Sequence, residues 1–68
     1  MIIQWMDGFV IRVSIDDGEA VIYANREGLL SLAGQLTELA EEMPGSHIHY
    51  DEYNSLEDGS AKLVIERK

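Results

Sequence analysis

The sequence predicts an α+β domain of two layers, a mainly antiparallel sheet with one helix packed on one face, in the order β-β-β-α-β-β. Three observations lead there. Asp7-Gly8 and Asp17-Gly18 interrupt alternating apolar segments with the residue pair that two-residue hairpin turns favour, because both turn positions need positive φ. Leu29, Leu32, Leu36 and Leu39 then recur at the three-and-four spacing of an amphipathic helix. Beyond a Pro44-Gly45 stop, His47-Ile48-His49-Tyr50-Asp51 and Ala61-Lys62-Leu63-Val64-Ile65-Glu66 alternate again as strands.

Taken in order, the first three strands fall at about Met1 to Met6, Phe9 to Ile15 and Glu19 to Ala24, joined as a meander. A turn at Asp17-Gly18 sets Ile15 opposite Ala20 and Val13 opposite Ile22, so Phe9, Ile11, Val13, Ile15, Ala20 and Ile22 share a core face. Asn25 is a good N-cap for a helix running from about Arg26 to Met43. Its expected apolar stripe is Leu29, Leu32, Leu36, Leu39, Ala40 and Met43, widened by Leu30 and Ala33. Ser31, Gln35, Thr37, Glu38, Glu41 and Glu42 are left to water. One helix covers only one side of such a sheet. Trp5, Val10, Val21, Tyr23 and Val64 are therefore expected on the open side, as an apolar patch suited to homodimerisation or to another protein.

Sixty-eight residues make one domain, residues 1–68, near the lower size limit for a single core. Cysteine is absent, so packing or association must stabilise the fold without disulfides or thiolate-bound zinc. The segment Met1 to Met6 has no basic region and is shorter than a signal-peptide core or a membrane span, and a cytoplasmic chain is expected. A formal net charge of -8 repels phosphate backbones and anionic lipids, which argues against nucleic-acid and membrane partners. The same charge attracts a basic protein, and it also serves plain solubility.

Catalytic chemistry finds little support. His47-x-His49-x-Asp51 would project to one side of a strand and has zinc-ligand character, but no later histidine could complete a site, and surface residues are the plainer reading. Asp16-Asp17, Glu41-Glu42, Asp51-Glu52 and Glu57-Asp58 lie in short loops or at an element end, without the concave pocket that keeps one carboxyl protonated. No enzyme, metal or cofactor is expected. Glu38, Glu41 and Glu42 crowd the negative end of the helix dipole with no nearby Lys or Arg in the helix to offset them, which serves either a partner or solubility.

His47-Ile48-His49-Tyr50-Asp51, Leu56-Glu57-Asp58-Gly59-Ser60 and Leu63-Val64-Ile65-Glu66 resemble the immunity protein family thirty-two, as do Gly28-Leu29-Leu30-Ser31-Leu32-Ala33 and the Pro44-Gly45 stop. The resemblance covers roughly Gly28 to Glu66. It implies a non-catalytic antidote, without cofactor, that binds and blocks a cognate toxin of a bacterial polymorphic toxin system. If that toxin is a basic nuclease, the residues expected to meet it are Glu38, Glu41 and Glu42 at the helix end, or His49, Asp51, Glu52, Glu57 and Asp58 around the last hairpin. The alternative is a small acidic structural or regulatory homodimer.

Overall fold

The computed structural model of the chain describes residues 1–68. Its elements are β1 (Ile11–Asp16), β2 (Glu19–Ala24), α1 (Arg26–Ala40), β3 (His47–Tyr50) and β4 (Leu63–Glu66). The class is α+β as expected, but the order is β-β-α-β-β. The strands form two separate antiparallel pairs, β1 with β2 and β3 with β4, instead of one sheet.

The first hairpin follows its turn chemistry. Asp17 and Gly18 take φ of 53° and 84°, and the register sets Ile15 against Ala20 and Val13 against Ile22. The expected core face is only half covered, however: Ile11 and Val13 are buried, whereas Ile15 and Ile22 overhang into solvent.

No strand forms over Met1 to Met6. Asp7 and Gly8 do make a turn, closed by Phe9 N–H donating to the Met6 carbonyl at 3.2 Å, but it leads into no hairpin. The reason is competition for partners. The Met6 N–H donates to Ser31 Oγ at 2.8 Å, and the Gln4 carbonyl accepts from Gln35 Nε2 at 2.8 Å, so helix side chains hold this segment. The outer edge of β1 is itself taken by the segment leading into β4. Glu57 N–H donates to the Ile11 carbonyl (2.9 Å), Ala61 N–H to the Val13 carbonyl (2.8 Å), and Ser60 Oγ accepts from Val13 N–H (3.2 Å). The two hairpins are thus bridged by this segment without merging into one sheet.

Asn25 joins three segments at the start of α1. Its Oδ1 accepts from Gly28 N–H (2.8 Å) as an N-cap and from Val10 N–H (3.0 Å), and its Nδ2 donates to the Gly8 carbonyl (2.9 Å). Its backbone N–H donates to the Val10 carbonyl at 3.1 Å. The helix start is thereby pressed onto Val10 and Ile11. A Cβ on Gly28 would meet the Val10 carbonyl oxygen at 2.7 Å and Ile11 Cγ1 at 2.9 Å, so only glycine fits there.

The helix also ends earlier than expected, at Ala40, and it is turned about its axis relative to the leucine stripe. Gly28, Ser31, Leu32, Gln35 and Leu39 face inward. Leu29 (56% exposed), Leu30 and Leu36 (41% exposed) face out, as does Met43 beyond the helix end. Ser31 and Gln35, expected in water, are among the most buried side chains. Tyr50 donates its hydroxyl to Gln35 Oε1 at 2.7 Å, and Ser31 Oγ donates to the Glu27 carbonyl at 2.8 Å, so both polar groups are satisfied inside. Around them pack Ile11, Val13, Leu32, Leu39, Ile48, Tyr50 and Leu56, with Trp5 and Phe9 at the margin.

Two outcomes follow. Gly28→Ala lowers the thermal midpoint by roughly 5–20 °C, since overpacking against rigid backbone costs about 1–3 kcal/mol. Gly34→Ala, with open space at its Cβ, gains about 0.5–1 kcal/mol, so a thermal melt should move the two variants in opposite directions. Burial also pushes the Tyr50 hydroxyl above its ordinary value of 10.0. The folded state then retains a proton that the unfolded state releases, so stability is undiminished below pH 10 and falls as pH rises beyond it. Urea titrations across that range should show this slope, and Tyr50→Phe should remove its share of it.

Candidate functional site

The connection between β3 and β4 is a long loop, but its backbone is fixed from within. Asp51 Oδ1 accepts from the N–H groups of Tyr53 (2.9 Å) and Asn54 (3.0 Å), and its carbonyl accepts from Ser55 and Leu56. Asn54 answers with Oδ1 accepting from Asp51 N–H (3.1 Å) and Nδ2 donating to the His49 carbonyl (2.9 Å). Farther along, Glu52 Oε2 accepts from Gly59 N–H at 2.6 Å, while Leu56 is sunk into the core as an anchor. Asp51 and Glu52, expected as partner-facing charges, are therefore engaged in bracing the loop.

What this frame presents outward is Tyr53, 95% exposed, with Glu57 and Asp58 exposed on the same loop and in no ion pair. Tyr53 was not among the residues expected at a site. The signal for it was the Asp51-x-x-Asn54 pattern, which marks a turn and puts the intervening side chains at its tip.

His47 and His49 project side by side from β3, their rings 4.9 Å apart at 80°. His47 Nδ1 lies 3.0 Å from the Gly45 carbonyl and 4.0 Å from Glu66 Oε1. No group of three His, Cys, Asp or Glu side chains is assembled that could hold a metal ion.

The acids at the end of α1 form a second, distinct cluster. Glu38 and Glu41 are exposed, and Glu42 lies 3.9 Å from the Met1 amino group. No basic residue occupies the last turn, although Arg67 reaches across from beyond β4, its Nε 3.4 Å from the Ala40 carbonyl. Gly45 N–H donating to the Arg67 carbonyl fixes this cluster at the open end of the β3–β4 hairpin, whereas the Tyr53 loop closes the opposite end. The acidic residues named from the sequence thus belong to two surfaces.

The expected open-face patch is also divided. Trp5 is stacked on Phe9 at 4.4 Å and edge-on to Tyr50 at 6.1 Å, inside the margin of the core. Val10 and Tyr23 line an open depression of about 440 Å³ with Ile22, Ala24, Asn25 and Glu57. The Arg12 guanidinium lies 4.2 Å above the Tyr23 ring, and Val21 is partly buried across from Ser14. Val64 lies on the other sheet, opposite His49. No helix is long and apolar enough to cross a membrane.

The family model described as Immunity protein 32 matches the chain over residues 19–68, which is 50 of the 68 residues. No curated protein and no solved structure matches the chain. The matched span takes in β2, α1, β3, the braced loop and β4, and the chain belongs to the Immunity protein 32 family.

Proposed function

We propose that this chain is a non-catalytic cytoplasmic immunity protein that neutralises a cognate bacterial toxin by binding it directly, and that the β3–β4 loop is the surface that does so. The observation that carries the placement is Tyr53, almost wholly exposed on a backbone already fixed by Asp51, Asn54 and Glu52. An aromatic on an ordered loop loses little backbone freedom on binding, and tyrosine is among the residues that dominate interface energetics. Glu57 and Asp58, exposed on the same loop, and the net charge of -8 favour a basic partner such as a nuclease whose substrate groove is cationic. His49 lies next to the loop's entry as a further polar contact, and the helix-end acids Glu38, Glu41 and Glu42 offer such a toxin a second acidic surface.

The test pairs the chain with a candidate toxin, a toxin-like protein chosen from neighbouring reading frames. The purified pair should form a complex, and co-expression should protect cells from that toxin. Tyr53→Ala should weaken the complex by about 2 kcal/mol, or about 30-fold. The double charge reversal Glu57→Lys with Asp58→Lys should slow association most strongly at low salt. Absence of any complex would overturn the immunity role, whereas a complex indifferent to all three substitutions would overturn only the loop assignment.

A further inference from the structure

Turning the polar seam of α1 inward leaves an unpartnered apolar line on its outside. Arg26, Leu29, Ala33, Leu36 and Ala40 follow one another at alternating steps of three and four, and all five are exposed. That alternation is the spacing by which one helix presents a straight seam to another. Leucines exposed at two of those positions, with alanines between them, give a ridge with gaps.

From this seam we infer that the chain self-associates, α1 packing antiparallel against α1 of a second copy about a two-fold axis near Ala33. In that arrangement Ala33 meets its own symmetry mate, which lets the helices approach closely. Leu29 of each copy lies beside Leu36 of the other, filling the space on either side of the crossing. Arg26 falls at the partner's helix end. There α1 carries Glu38 and Glu41 with no basic residue in its last turn. Arg67 already reaches the Ala40 carbonyl, but Glu38 and Glu41 are in no ion pair. Arg26, three-quarters exposed with only Glu27 near it at 3.7 Å, is the cation a second copy brings to them, so charge complementarity favours a second copy over an unrelated helix. An antiparallel pair also sets the two helix dipoles in the favourable sense.

One face of a helix about 22 Å long buries less than the roughly 800 Å² per partner of a standard stable interface, so association is weak and concentration-dependent. At physiological salt a Debye length of about 8 Å screens the repulsion between two acidic chains more than it screens contact pairs. The inference does not rest on the proposed toxin-binding role of the β3–β4 loop, which lies on another element, although a dimer would engage Glu38 and Glu41 of the helix-end acidic surface.

The experiment is sedimentation equilibrium of the full chain from micromolar to millimolar concentration, paired with bismaleimide cross-linking of single-cysteine variants, which the cysteine-free sequence permits. A monomer–dimer equilibrium is expected. Ala33→Arg should weaken it by about 30-fold or more, as for a central interface position. Arg26→Glu should weaken it, and adding Glu41→Arg should restore it. Ala33→Cys should cross-link to dimer while Lys62→Cys does not. A monomer at every concentration would overturn the inference, as would a dimer unaffected by Ala33→Arg or cross-linked equally from both cysteines. Because position 33 is exposed, circular dichroism should show each variant folded, and Leu36→Lys provides a second break in the seam if one is not.

Discussion

A carboxamide buried in a protein interior must find a donor for its oxygen and an acceptor for its nitrogen, and Gln35 finds them on two different segments of chain. Tyr50 donates to Oε1 at 2.7 Å, and Nε2 donates to the Gln4 carbonyl at 2.8 Å, with Gln35 and Tyr50 only 2% and 1% exposed. Leaving either end unpaired would cost about 1–3 kcal/mol, a large share of what a domain of this size has to spare. The rotation of α1 is tied to this pairing. With Gln35 inward, Ser31 comes in on the same side and holds Met6, so residues 1–6 lie along the helix instead of adding a strand. The same rotation turns Leu29, Leu30 and Leu36 to the surface. Asn25 and Gly28 fix the other end of the helix, where the cap and a contact only glycine allows hold it against Val10 and Ile11.

Local chemistry was legible in the sequence because it depends on few residues. Asp17-Gly18 specifies its turn and the register of β1 with β2, Asn25 specifies the helix start, and the alternations at β3 and β4 specify their pairing. The helix orientation was not legible, because α1 carries two competing stripes. Leu32 and Leu39 belong to both, and hydropathy alone favours the one completed by Leu29 and Leu36. What decides for Ser31 and Gln35 is the position of Tyr50 and of the Gln4 and Met6 backbone, all distant in sequence. The first strand was misplaced for the same reason: Asp7-Gly8 marks a turn correctly but says nothing of which partner the preceding residues find.

The functional surface was half legible. Charge and family resemblance pointed to an acidic protein-binding domain, and family membership is now established over β2 to β4. Individual acids could not be sorted from sequence into those that brace and those that face outward. Asp51 and Glu52 hydrogen-bond the loop's own amides, and this bracing is what presents Tyr53, a residue no charge pattern would single out. Stability and the proposed binding surface meet in this loop, since Leu56 anchors it in the same core that Tyr50 and Gln35 organise.

The claim on which the rest depends is that the polar seam of α1, and not its leucine stripe, faces the core. Equilibrium urea unfolding of Gln35→Ala and Leu36→Gln, at concentrations low enough to keep the chain monomeric, tests it most directly. With Gln35 buried and bonded, Gln35→Ala should cost about 2 kcal/mol or more, whereas Leu36→Gln at an exposed position should stay within about 0.5 kcal/mol. The reverse ranking, a tolerated Gln35→Ala and a severe Leu36→Gln, would contradict the helix orientation and, with it, the assignment of the outer seam.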